Sequence, residues 1–421
     1  MSAAVKVNIW GRPVGAAVWD RRTGCARFQF DPEFVRSGVE LSPAVMPLSN
    51  DIYSFESLDR NAYKGLPGML ADSLPDKFGN TLLDIWMRRG GVNPDRFTSL
   101  DRLCYTGKRG MGALEYEPAL TEGRGAENVD MDALSSLAAE AVREQEGMSA
   151  DLMNDGIEDL ISLGTSAGGA RAKAIIALNG STMEIRSGRG VLPDGFSHWI
   201  VKFDTEQEVK RGFCMVEHAY HRMAAECGIE MSECRLLKTK NGTHFLTKRF
   251  DRIGSEKVHM QTLCAMAHYD FTKPGIHSYE QLFSVMRRIG LPAADAEQMF
   301  RRVAFNVIMR NNDDHTKNTS FMLPKGGRWG LAPAYDITFA YKPGNRWLQE
   351  HQMSVNGRTF GITREDLMSL AHSAGVKKAA DIIDGTESIS SEWKDFAKDS
   401  GVPDATRERI GDAMRGGLGS F

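Results

Sequence analysis

"RNNDDHTKNTSF", residues 310–321, packs asparagines, two aspartates, a histidine and a lysine into the eight positions 311–318, directly after an apolar helical run. Loops are often polar, but few carry so many ligands, charges and proton carriers together. Two readings are open at this point: a solvated turn, or the centre of an active site. The flanking sequence bears on the choice.

Downstream, Asp313 and Asn318 stand five apart, with His315 and Lys317 between them. "TSFML" and "GRWGLA" then read as a two-stranded hairpin, and "PAYDIT" sets Asp336 just past it. Upstream, "GTSAGGARAK" (164–173) holds three glycines among small residues, which lets backbone N–H groups approach an anion closely. It matches neither GxxxxGK[ST] nor GxGxxG, so by itself it is equally a plain turn. Lys202 interrupts the apolar strand "HWIVKF", either as an edge-strand gatekeeper or as a buried cation needing an anion. Glu217, fifteen residues on in an amphipathic helix, reaches back to that lysine or is an exposed helical glutamate.

A carboxylate, an amide five residues on, a hairpin and a second carboxylate form a recurring arrangement in phosphoryl transfer. In protein kinases the first Asp takes the proton of the substrate hydroxyl, and the Asn and the later Asp bind Mg²⁺. Oxygen donors suit Mg²⁺, whereas Cys and His sets select zinc. Taken in order, Gly-rich loop, strand lysine, helix glutamate, Asp/Asn loop and late Asp favour the active-site reading of 311–318. HRD, DFG and APE are all missing, so a standard eukaryotic-type kinase is excluded.

Composition sets the frame. The 421 residues are 42% hydrophobic and 25% charged, ordinary for a globular protein of two or three packed units. A net charge of −3 supplies no global basic field for nucleic acid. The start lacks a signal-peptide layout and no run approaches membrane-spanning length, so no membrane is expected. The six cysteines (Cys25, Cys104, Cys214, Cys227, Cys234, Cys264) form no CxxC pair and read as reduced thiols of a cytoplasmic protein.

"VKVNIW", "VGAAVW" and "CARFQF" read as three opening strands, and Gly68 to Arg89 as one helical pattern. Residues 121–130 read as a linker, followed by helices in "MDALSSLAAEAVREQEG" and "ADLMNDGIEDLISL". "ECRLLKT" and "NGTHFLTKRF" make a hairpin around Asn241-Gly242, and the chain beyond about 255 is mostly helical.

"NNDDHTKN", "PAYDI", "KRFDR" and "SAGGARAK" together resemble the HipA family of bacterial serine/threonine kinase toxins, over nearly the whole chain and most clearly from about 160 to 340. The resemblance implies an α+β, kinase-like two-lobe fold: a β-containing N-terminal subdomain (1–120), an N-lobe with the Gly-rich loop (121–255) and an all-helical C-lobe (256–421). It implies ATP and Mg²⁺ as cofactors, Asp313 as general base, and Asn318 and Asp336 as Mg²⁺ ligands. ATP would be held by Ser166, Ala167, Gly168, Gly169, Lys202, Lys248, Phe250, His315 and Lys317, with Glu217 pairing Lys202. Ser166 matches the serine that family members autophosphorylate. The implied partners are a HipB-like helix-turn-helix antitoxin, operator DNA through it, and a protein of the translation machinery such as an aminoacyl-tRNA synthetase. Lys248 replaces the family's usual glutamate, and "ARAK" its A-Q-x-K.

Two other function classes compete. A Mg²⁺-dependent nuclease could use Asp313, Asp314, His315 and Asp336, with Arg301, Arg302 and Arg310 as a groove, although a solvated helix face explains those arginines as well. A non-catalytic module that sequesters an antitoxin–DNA complex would have no need of a general base. His218 and His221, three apart on a helix, lack a third ligand and read as structural. Asp314 should raise the pKa of Asp313 unless Mg²⁺ or Lys317 offsets it, and Lys317 is expected to do so.

Overall fold

In the computed structural model, residues 4–120, 128–145, 171–188 and 190–418 are described. The three opening strands form where alternation places them: β1 (Val5–Ile9), β2 (Arg12–Asp20) and β3 (Cys25–Phe30). Val5, Val7 and Ile9 all point into the core, as period two requires. β4 (Ile52–Tyr53) and β5 (Leu114–Glu117) complete an antiparallel sheet of order β4-β3-β2-β1-β5. Gly15 allows β2 and β3 to close, since a Cβ there would lie 2.2 Å from the Gln29 carbonyl oxygen.

The helical pattern predicted over Gly68 to Arg89 is two helices, Gly68–Ala71 and Lys77–Arg89. Pro75 has no N–H to continue the first, and Asp76 caps the second, accepting the Gly79 N–H at 2.6 Å.

A second sheet contains β6 (Lys173–Asn179), β7 (Ile185–Ser187), β8 (Phe196–Lys202), β9 (Cys234–Thr239) and β10 (Gly242–Lys248), in the order β7-β6-β8-β10-β9. The hairpin expected at Asn241-Gly242 is present; β7 is an addition. β6 is buried from Lys173 to Leu178. Helices Lys77–Arg89 and Met131–Gln145 cover the sheet, with Phe78, Leu82, Leu134 and Ala138 packed on Ile176, Trp199 and Leu246. β8 lies between β6 and β10. Lys202 is therefore in a central strand and buried, which removes the gatekeeper alternative.

By internal contacts the chain forms two compact units. One is Met1–Glu206, Leu237–Gln261 and Leu323–Gly327; the other is Gln207–Leu236, Thr262–Met322 and Arg328–Phe421. The second unit is built around helix Ala293–Ile308, buried nearly throughout its last ten residues. Helices Tyr279–Arg288, Arg364–Ala374 and Ala379–Ser391 pack beside it. It is not all-helical as expected. Phe321 and Met322 pair with Leu331 and Gly330, and His277–Ser278 pairs with Met353–Ser354 in parallel.

Candidate active site

Helix Ala293–Ile308 ends at Met309, and Arg310 turns the chain with φ at +58°. Burial alternates from Asn312 to Lys317, where the chain turns again. Asn312, Asp314 and Thr316 are buried, while Asp313, His315 and Lys317 are half-buried. The adjacent aspartates therefore belong to opposite faces.

The buried face is an anchor. Asp314 Oδ2 accepts from the Tyr279 hydroxyl at 2.8 Å and His351 Nδ1–H at 2.9 Å; its Oδ1 accepts the Gln352 N–H at 2.7 Å. A buried carboxylate needs such donors. Asn306 donates to the Tyr279 hydroxyl at 3.2 Å, and Asn311 to Asn306 Oδ1 at 2.9 Å. Asn312 donates to the Leu348 carbonyl and Thr316 to that of Tyr269. Tyr279, Asn306 and His351 escaped the sequence reading because their partners lie far off in the chain. The signal that could have found Asp314 was the period of two.

The other face carries the candidate catalytic residues. Asn318 Nδ2–H donates to the Asp313 carbonyl at 2.6 Å, which leaves the amide oxygen for a cation. Asp336 comes after the short hairpin with φ at +53°, a conformation that an aspartate adopts at some cost. Beside it the Tyr335 hydroxyl donates to the Lys317 carbonyl at 2.6 Å and bonds Ser320 Oγ, fixing hairpin to loop. Asn318 and Asp336 line one small pocket with Asp314, Asn311 and Thr319.

Burial raises the Asp313 carboxyl above its usual range, the charges of Asp336 and Asp314 push it further, and His315 opposes them. That imidazole lies 3.9 Å from the Asp313 carboxylate. Lys317 was expected to supply this offset. Its ammonium instead sits 4.6 Å from the centre of the Phe271 ring, against whose edge His315 also packs. Crowded carboxylates beside an amide oxygen are a donor set that fits Mg²⁺, which takes few protein ligands and completes its shell with water and phosphate. Among the described residues no three His, Cys, Asp or Glu side chains are grouped to hold a metal.

In the first unit, Lys202 stands opposite Lys173 on β6 and Phe245 on β10, with its ammonium 5.8 Å from the Phe245 ring centre. Lys173 is neutralised by Asp76 at 3.2 Å, a pair buried on both sides. Lys248 is exposed at the end of β10, and Phe250 is half-buried. Within "KRFDR", Arg249, Asp251 and Arg252 form a buried knot. Asp251 accepts from Arg249 and Arg252 and from the Gly112 N–H, while both arginines also donate to the Gly110 carbonyl. Ser166, Ala167, Gly168 and Gly169 lie outside the described residues. Glu217 is buried on helix Phe213–Glu226 of the second unit, so it is not an exposed helical glutamate.

His218 bonds Ser400 Oγ and His221 donates to the Ser232 carbonyl, so the two serve different partners. Arg301, Arg302 and Arg310 form no open basic groove. Arg302 is buried and donates to the Ala332 carbonyl, Arg301 pairs with Glu297, and Arg310 lies over the Tyr341 ring. Burial of Arg302 also corrects its reading as part of a solvated face.

The chain is similar to known proteins along most of its length. The model of the HipA N-terminal domain matches residues 5–117, and that of the HipA-like C-terminal domain matches residues 165–393. A Haemophilus influenzae protein named "Putative kinase" is 32% identical over 29% of this chain and 39% of its own. A Sinorhizobium fredii protein named "Putative kinase Y4dM" is 24% identical over 45% of this chain and 49% of its own. The chain thus spans at most about half the length of these curated relatives. In fold it is similar to the structure of the Shewanella oneidensis MR-1 toxin–antitoxin system HipA, HipB and its operator DNA, with a TM-score of 0.67 at 18% identity. That match covers 98% of this chain and 95% of the other.

Proposed function

This chain belongs to the HipA family, and from that premise we propose that it is an ATP- and Mg²⁺-dependent serine/threonine protein kinase, the toxin of a toxin–antitoxin pair. The carrying observation is the half-exposed face of the 311–318 loop. A carboxyl with a raised pKa stands five residues from an amide tied to its own backbone, and that amide lines one small pocket with Asp336.

In this reading Asp313 accepts the proton of an acceptor hydroxyl, and burial makes it a better base than an exposed aspartate. Asn318 and Asp336 would hold Mg²⁺, which neutralises charge on the transferring phosphoryl group. Lys202, paired with Glu217, contacts the ATP phosphates; His315 and Lys317 assist. The backbone from Lys248 to Phe250 lines the adenine. Ser166 to Gly169 are proposed as further ATP-binding residues. Phosphorylation of Ser166 would add nearly two negative charges near ATP and silence the enzyme.

The kinase names of the relatives support phosphoryl transfer. The HipB and operator DNA in the related structure support a HipB-like helix-turn-helix antitoxin and, through it, DNA as partners. A protein of the translation machinery, such as an aminoacyl-tRNA synthetase, is the proposed substrate, and the cytoplasm the site of action. No helix among the described residues is long and apolar enough to cross a membrane.

Nucleotide binding tests the assignment of ligands. Wild-type protein titrated with ATP by calorimetry should bind at least about tenfold more tightly with Mg²⁺ than with EDTA, and Asp336→Asn should erase that difference. Equal affinity in both conditions for the wild type would count against Asn318 and Asp336 as the metal ligands.

A further inference from the structure

Asp314 lines the candidate site but is given no part as base or metal ligand above, and its carboxylate takes more hydrogen bonds than any other side chain described in its loop. Its two oxygens take three hydrogen bonds, two of them from the consecutive residues His351 and Gln352. Those residues end the segment that comes after Asp336. The same segment is fastened to the loop further back: Ala340 N–H donates to the Arg310 carbonyl, Asn312 N–H to the Ala340 carbonyl, and Asn312 Nδ2–H to the Leu348 carbonyl. Arg310 and Asn312 bond the segment through their backbone, and Asn312 and Asp314 also through their buried side chains. Asp313 and His315 are half-buried.

Both candidate metal ligands lie close to this seam. Asn318 is tied to the carbonyl of Asp313. Asp336 is held in a left-handed conformation only four residues ahead of Ala340. Resting on the kinase reading above, we infer that Asp314 is a positioning residue: through His351 and Gln352 it locks the 338–352 segment to the catalytic loop and so orients Asp313. The lock is built from two side-chain donors, one backbone N–H and one carboxylate.

His351 gives the cleanest handle, because Asp314 itself is part of the loop. His351→Leu deletes the donor, while His351→Asn keeps a side-chain N–H close to the position of Nδ1. Each full-length protein is assayed with Mg²⁺, labelled ATP and a mixed serine/threonine peptide library, and by hydrogen–deuterium exchange. In His351→Leu, kcat should fall at least about tenfold with KM for Mg–ATP within about twofold, as expected for displacement of a base rather than loss of binding. Exchange should accelerate over 338–352, and His351→Asn should restore both readouts. Unchanged kcat in His351→Leu, no recovery in His351→Asn, or a loss carried by KM for Mg–ATP would each overturn the inference. Should the wild type transfer no phosphate, the kinase reading fails on its own. The exchange data then decide the lock: acceleration over 338–352 sustains it and unchanged exchange overturns it.

Discussion

His259 is fully buried, with its Nε2 3.2 Å from the Leu41 carbonyl, and burial pushes its pKa down to about 4. His198, His218, His244 and His268 are pushed down to about 4 for the same reason. A histidine whose folded pKa lies below its unfolded value near 6.5 holds fewer protons when folded. Its contribution is therefore complete above pH 6.5 and is lost as pH falls toward 4. For His259 the loss between pH 7 and pH 5 is about 2 kcal/mol, at ~1.4 kcal/mol per pKa unit. Urea midpoints measured at the two pH values should drop toward pH 5, and by less in His259→Gln; equal drops would remove His259 from the account. The residue scale also shows where the sequence was mute. The spacing of Asp313 and Asn318 was legible because both lie in one loop. The role of Asp314 was not, since its partner His351 is 37 positions away and only folding brings them together.

At the scale of elements, strands and helices obeyed local chemistry wherever alternation or period was clean, as in β1 to β3 and in Met131–Gln145. Errors fell where one residue overrode a pattern. Pro75 divides a helical run, and the central place of β8 buries a lysine that sequence alone left open to an edge. Two glycines make the contrast measurable. Gly15→Ala drives a methyl group to 2.2 Å from a backbone oxygen between β2 and β3, and should destabilise by about 1–3 kcal/mol, the range for overpacking. Gly385 is exposed within helix Ala379–Ser391, with nothing within 4 Å of an added Cβ. Gly385→Ala should stabilise by about 0.5–1 kcal/mol through helix propensity. Thermal midpoints moving the same way for both variants would contradict this placement of the two residues.

Across the whole molecule, the division of labour is that of a scaffold and a loop. The first unit supplies a sheet with two buried lysines, Lys202 and Lys173, the latter paired with Asp76. The second supplies a helix that delivers the stretch 311–318 and a hairpin that delivers Asp336. Family membership was legible in short motifs because the chemistry confines them to neighbouring residues. The structural motif "KRFDR" was legible as family sequence, but not as the buried Arg–Asp–Arg knot that ties 249–252 to Gly110 and Gly112.

The central claim is that Asp313 is the base of a phosphoryl transfer. Incubating the protein with Mg²⁺ and γ-labelled ATP, beside Asp313→Ala, and mapping the label by mass spectrometry tests it most directly. The expected result is label on Ser166 in the wild type and none in the variant. Label of equal amount in Asp313→Ala, or none in either protein, would contradict it.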